Sequence, residues 1–284
     1  MGPDGIHPKV LKECAGPLTE ALHRIFTQSL TSGELPKVWK EAIITPIHKK
    51  ASKEIPNNYR PISLTCVPCK VMETLVRDEI IGHMKRNNLF IPNQFGFLPH
   101  RSTTLQLLYT IEKWMTQTEM GRSVDTCYLD LMKAFDSVPH RRLLARLHAY
   151  GIRGHALQWI KSFLSQRTQS TLVNGASSTS SPVISGVPQG SVLGPVLFII
   201  YINDMPQNIT SDMVLYADDA KIFRPILKEQ DCETLQNDID CLHDWSKSWL
   251  LRFHPEKCKV MRINPKRQNN TTYTMKGEDG IRKD

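Results

Sequence analysis

Hydrophobic positions recur along this chain with two spacings, and the change from one to the other marks its elements. From Pro17 the residues Leu18, Leu22, Ile25, Phe26 and Ser29 fall on one helical face, and Gly33 ends the pattern. Ala42–Ile47 and Tyr59–Leu64 read as two extended runs joined by the polar, basic loop 49–54. Helical spacing returns at Val71, Met72, Leu75, Val76 and Ile80. It appears again over 102–119, where Leu105, Leu108, Ile111 and Met115 are the expected core face.

Beyond Thr126 the pattern becomes that of a strand in "TCYLDLMKAFDSV", with Asp130 near its end; a helix then runs from Arg141 to Tyr150 and stops at Gly151. Gln169–Val173 followed by Asn174-Gly175 predicts a hairpin, since Asn-Gly supplies the positive φ angles of a tight primed turn. A Gly/Pro-rich loop leads into an apolar helix. After "VLYADDAKIF" a long helix carries Leu235, Ile239, Leu242 and Trp249 toward one side, and Lys259–Ile263 reads as a last strand before a polar tail. Irregular alternation, frequent hairpins and the lack of a Gly-rich βα turn predict an α+β fold with a mainly antiparallel sheet.

Composition narrows the class of molecule. With 284 residues, 40% hydrophobic and 23% charged, the chain suits a soluble globular protein. A formal charge of +8 favours polyanionic partners such as nucleic acid. Seven scattered cysteines predict free thiols in a reducing compartment, and Cys66-x-x-Cys69 lacks the second ligand pair a zinc site needs. No leader-like segment follows Met1, and the most apolar run, Val192–Ile202, is too short to span a bilayer. A soluble intracellular protein is expected, with the sequons at Asn208 and Asn269 as chance matches.

The acids raise the question of chemistry. Asp218 and Asp219 occupy the place of a two-residue hairpin turn, where two carboxylates repel unless a cation or basic group relieves them. A solvated turn is the plain alternative, because Asp favours turns for its own hydrogen-bonding reasons. If the strand ending at Asp130 were adjacent, three carboxylates would converge, a hard-oxygen set suited to Mg²⁺.

The ordered stretches "GPDGIHPKVLK", "NNYRPISL", "NQFGFLPHRSTT", "YLDLMKAFDSV", "GVPQGSVLGPVLFIIYINDMP", "YADD" and "FHPEKCKVM" together resemble a reverse transcriptase, specifically the polymerase of non-LTR (LINE-type, jockey-like) retrotransposons. The resemblance covers almost the whole chain. It implies right-hand polymerase architecture: a helical lead-in over about 1–33, fingers over about 34–120, and a palm over about 121–284 with a fingers-side insertion at about 141–183. No stretch corresponds to a thumb or an endonuclease, as in a fragment of a longer polyprotein.

By the same resemblance, Asp130, Asp218 and Asp219 are the catalytic acids and hold two Mg²⁺ ions, with Mn²⁺ as a substitute. Lys49 and Arg60 contact the incoming triphosphate, with Lys50 able to replace Lys49 in a shifted register. Phe135 lies beneath the sugar and obstructs a 2′-hydroxyl. Gln189 and Gly190 approach the template–primer and the nascent base pair, Tyr216 precedes the acids on the hairpin, and Lys257 is a candidate proton donor to pyrophosphate. His254 stands where the family often has asparagine, and Leu98 where it often has arginine. Asp136 and Asp204 read as turn or capping groups. Arg141-Arg142, Lys85-Arg86 and Lys266-Arg267 are candidates for tracking phosphates.

The implied partners are an RNA template, a DNA primer and dNTPs, with nuclear action and no membrane; nothing here fixes the oligomeric state. Two rivals remain at this stage. One is a catalytically silent nucleic-acid-binding remnant; the other is a two-metal nuclease, which would leave the fingers and "PQG" stretches unexplained.

Overall fold

The structure, a computed structural model, describes residues 1–50, 52–264 and 271–276 and the backbone of 282–283. Lys266-Arg267 and the Asn269 sequon lie outside the described residues. The helices are α1 (Pro8–Glu13), α2 (Ala15–Ser32), α3 (Val67–Arg86), α4 (Thr103–Glu119), α5 (Ala134–Ser137), α6 (His140–Ala149), α7 (Gly154–Leu164), α8 (Gly194–Tyr201) and α9 (Glu229–Trp249). The strands are β1 (Glu41–His48), β2 (Tyr59–Leu64), β3 (Ser123–Asp130), β4 (Arg167–Val173), β5 (Ala176–Ser177), β6 (Ser181–Val183), β7 (Asp212–Tyr216), β8 (Asp219–Ile226), β9 (Lys259–Ile263), β10 (Met275–Lys276) and β11 (Arg282–Lys283). No described helix is long and apolar enough to cross a membrane.

Two compact units divide the chain, and neither is continuous in sequence. The first comprises Met1–Leu89 and Val138–Phe198, the second Phe90–Ser137 and Ile199–Asp284.

In the first unit β1 and β2 form the expected antiparallel pair, from Ile43↔Leu64 to His48↔Tyr59. β1 also pairs with β4 in parallel, a long-range pairing that local spacing does not reveal. The Asn174-Gly175 turn between β4 and β5 has positive φ at both positions, as the sequence predicts for a primed turn. Gly33 ends α2 in the left-handed conformation, but that helix begins at Ala15 and not at Pro17, with α1 ahead of it. Of its expected face only Phe26 and Ser29 are buried; Ser29 Oγ accepts from the buried indole of Trp159, which orients α2 on α7.

α3 carries Pro68 in its first turn, where no intrahelical N–H is required, and buries Cys69, Met72, Val76 and Ile80. Val71 and Leu75, expected on that face, are exposed. One acid sits inside the buried stripe. Glu73 is fully buried, its Oε2 accepts from the backbone N–H groups of Val192 (2.7 Å) and Leu193 (3.0 Å), and burial pushes its pKa up. Buried Arg167 supplies compensating positive charge, so the loop that opens α8 is held by a charge-assisted anchor.

The second unit is built on a sheet of order β7-β8-β3-β9, antiparallel throughout. α9 lies on this sheet and buries Leu235, Ile239 and Leu242, each about 1.5–3 kcal/mol of transfer free energy. Phe95, Val124, Val214 and Phe223 form a further cluster, closed by Trp114 of α4. Here the sequence reading of α4 is corrected. Leu105, Leu108, Ile111 and Met115 are exposed, whereas Gln106 and Thr110 are buried. Trp114 stands edge-on to Phe223, so the largest side chain sets the helix rotation in place of the apolar stripe, with an exposed Lys113–Asp212 pair beside it.

Candidate active site

In the second unit β3 and β8 run antiparallel until Asp130 faces Asp219, and Tyr216 faces Asp219 from the other side. The two acids thus meet at one end of the sheet because each closes its strand. The hairpin turn is displaced by one residue from expectation: its two central residues are Ala217 and Asp218, and Asp219 already belongs to β8. Ala217 has φ of +54° and Asp218 is not in the positive-φ region, so the first turn residue adopts a conformation usually left to glycine.

Crowding is visible in the electrostatics. Burial, followed by the Asp130 charge, raises the Asp219 carboxyl above the ordinary aspartate range. Lys257 offsets part of the negative charge, with Nζ 3.3 Å from Asp130 Oδ2. Its placement follows from backbone pairing, since Met132 N–H donates to Arg252 O at 2.7 Å and His254 N–H to Asp130 O at 2.8 Å. Asp130, Tyr216, Asp219 and Lys257 line an open cleft of about 430 Å³ together with Thr103, Gln106, Leu107, Tyr128 and Lys221.

Phe135, on α5, meets the ring of Phe97 edge-on at 6.2 Å and is half-buried. Asp204 accepts from the Trp245 indole at 2.9 Å, a structural use consistent with its exclusion as a ligand. All seven cysteines are free, with Cys66 and Cys69 buried.

The remaining candidates belong to the first unit. Arg60 pairs in register with Ile47 and Lys49 lies two residues farther on, so both cations sit at one end of the β1–β2 ribbon, exposed. Gln189 O accepts from Ser63 N–H at 2.8 Å, which fastens the "PQG" loop to β2. Gly190 has φ of +103°, and a Cβ there would stand 2.8 Å from Ser63 O, so glycine is required both for conformation and for space.

A family model described as reverse transcriptase (RNA-dependent DNA polymerase) matches residues 47–276. The chain belongs to the reverse transcriptase family. It is 31% identical over 270 residues to the RNA-directed DNA polymerase from mobile element jockey of Drosophila melanogaster, covering 90% of this chain and 29% of that protein. It is also 31% identical over 248 residues to the probable RNA-directed DNA polymerase from transposon X-element of the same species, covering 85% of this chain and 26% of that protein. The chain therefore spans less than a third of these relatives. Among solved structures, apo telomerase from Candida tropicalis truncated from its C-terminal domain superposes with a TM-score of 0.59 at 10% identity, covering 91% of this chain and 57% of the other. The reverse transcriptase fold, with fingers and an antiparallel palm sheet backed by helices, is thus supported from sequence and shape independently.

Three residues of this reverse transcriptase domain escaped the reading of the sequence. Glu73 left a signal, an acid at helical spacing within a buried stripe. Lys221 left only an alternation: it pairs in register with Tyr128, is 6% exposed, and its ammonium lies 5.2 Å from the Tyr128 ring and 5.5 Å from that of Trp114. Burial lowers its pKa. Gln94, buried beside the hairpin turn, left no signal beyond its place in "NQFGF".

The carboxylates are a facing pair with a third acid adjacent in the turn; among the described residues no group of three or more His, Cys, Asp or Glu is close enough to hold a metal ion as it stands. The donor chemistry nevertheless fits Mg²⁺. All three are hard oxygen ligands, and the burial and facing charge that raise Asp219 are of the kind a bound cation relieves.

Proposed function

We propose that this domain is an RNA-directed DNA polymerase that adds dNTPs to a primer 3′-hydroxyl, with Asp130, Asp218 and Asp219 as its catalytic acids. The observation that carries the reading is the Asp130–Asp219 pair at the sheet end, with Asp218 next in the turn, in a chain of this family. The three carboxylates would hold two Mg²⁺ ions. Bound there, the metal supplies charge neutralisation at the reacting phosphate and a lowered pKa for the attacking hydroxyl.

The chain's own groups do the rest. Lys49 and Arg60 neutralise phosphate oxygens of the incoming nucleotide, the ammonium as a point charge and the guanidinium as a planar fork. Phe135 supplies the flat face under the sugar and excludes a 2′-hydroxyl by size. Gly190 lets the loop lie against β2, where a Cβ would meet Ser63 O, and would present bare backbone to the nascent pair, with the Gln189 carbonyl fastening that loop. Lys257, already beside Asp130, holds a proton that the pyrophosphate oxygen can take. In domain terms the reading assigns fingers to about 34–120 and palm to about 121–284; the grouping of 138–198 with the first unit supports a fingers-side insertion at about 141–183, whereas 90–120 groups with the palm sheet in the second unit.

The test is extension of a DNA primer on an RNA template with dNTPs and Mg²⁺, comparing the chain with its Asp218→Ala/Asp219→Ala variant. Extension by the former and loss of ~10³-fold or more in the latter is the expected result. Template–primer binding without extension by either would favour a silent binding remnant, and shortening of the strand a nuclease.

A further inference from the structure

The turn that carries Asp218 is built on an unfavourable residue. A left-handed conformation at a non-glycine position costs about 1–2 kcal/mol, and Ala217 adopts it with no side-chain hydrogen bond of its own in compensation. What holds it lies outside the hairpin. Gln94, 1% exposed, accepts with one amide oxygen from the N–H of Ala217 at 2.9 Å and from its own loop's Gly96 N–H at 2.7 Å.

The segment bearing Gln94 is itself fixed along β7. Phe95 N–H donates to Leu215 O (2.8 Å), Leu215 N–H to Asn93 O (2.9 Å), and the Asn93 amide to Met213 O (2.7 Å). Gly96 completes the fit, because a Cβ there would stand 2.5 Å from the Ala217 nitrogen. The arrangement is not the cheapest way to bury an amide. Gln94 Nε2 is buried without a partner among the described residues, a cost of about 1–3 kcal/mol that an apolar side chain would avoid. Of the two amide atoms, only the oxygen is engaged, and it is engaged on the turn.

We infer that Gln94 is a positioning residue for the catalytic hairpin: its amide oxygen latches the Ala217 N–H, holds the turn in its left-handed form, and so presents Asp218 and Asp219 preorganised for metal. The inference deepens the polymerase reading and rests on it for the role of the two acids. Gln94 touches no reacting atom.

The test uses Gln94→Met, which keeps volume and removes the acceptor, and Gln94→Met/Ala217→Gly, in which glycine adopts the turn unaided. Three readouts are compared with the parent: hydrogen exchange over the turn, Mn²⁺ affinity by electron paramagnetic resonance, and kcat against KM for dNTP. In Gln94→Met, exchange at Ala217 should speed up by ~10-fold or more while β3 amides keep their protection. Mn²⁺ should bind ~10-fold more weakly, and kcat should fall ~10-fold with KM changed by less than ~3-fold. The glycine should restore Mn²⁺ affinity and kcat to within ~3-fold of the parent.

Unchanged turn exchange in Gln94→Met, or losses that glycine fails to restore, would overturn the inference. If the parent chain extends no primer, the polymerase reading fails by itself, and the exchange and Mn²⁺ measurements still decide whether Gln94 sets the turn. Should Gln94→Met lose β3 protection as well, Gln94→Glu keeps the acceptor oxygen. Restored turn protection in that variant supports the latch, and its absence overturns it.

Discussion

At the scale of the residue, Asp219 shows how function and stability oppose each other. Its carboxyl titrates above the ordinary range in the folded protein, first because it is partly desolvated and then because Asp130 faces it. An unfolded chain releases that proton near the usual aspartate value of about 3.9, so the folded state binds the proton more tightly. Stability from this group is therefore fully present below the unfolded value and is lost as pH rises through the folded one. Metal-free Asp219→Asn should accordingly melt higher than the parent at pH 7, with the gain shrinking toward pH 4 and reversed by saturating Mg²⁺. A lower melting temperature at pH 7 without metal would refute the assignment of a charge disfavoured by burial and by Asp130. Sequence alone singled out the acids, left the adjacency of the Asp130 strand as a condition, and set the turn one residue too late. The missing information was the register Tyr216↔Asp219, which two adjacent aspartates do not specify.

Elements were legible where the pattern and the local chemistry agreed. β2 and β9 fall at the residues the alternation indicated, and Asn174-Gly175 makes the turn its backbone preference dictates. The helix at α4 was legible as an element but not in its rotation, since apolar spacing identifies a face without saying what it meets. The parallel β1–β4 pairing was invisible for the same reason, its partners being separated by over a hundred residues. In the "PQG" loop local conformation again decides the outcome. Gly190→Ala would place a Cβ 2.8 Å from Ser63 O in a region of φ that L residues avoid, and the obstructing atom is backbone. The loop must shift off β2 or the chain must bear about 1–3 kcal/mol of strain. Denaturant unfolding should register that loss, and the KM for dNTP should rise more than kcat falls. A variant with parental stability and KM would remove the loop from the binding machinery.

For the whole molecule, charge is the property that sequence reports most directly and structure least alters. The net +8 favours a polyanionic partner without saying where it would bind. Location can be read from the salt dependence. Each cation that displaces a condensed counterion contributes about 0.9 to the slope of log affinity against log salt on a duplex. Lys49 and Arg60 are exposed at one end of the β1–β2 ribbon, so neither is committed to a buried ion pair. If they meet phosphates of the nucleic acid itself, Lys49→Ala and Arg60→Ala should each lower the slope by about 1 and weaken binding for every template sequence alike. If they serve the incoming nucleotide, as proposed above, the slope for template–primer should stay as in the parent while the KM for dNTP rises. Fluorescence anisotropy from 50 to 200 mM salt, with dNTP kinetics on the same variants, separates the two assignments. A change in neither quantity would return both residues to the solvated surface.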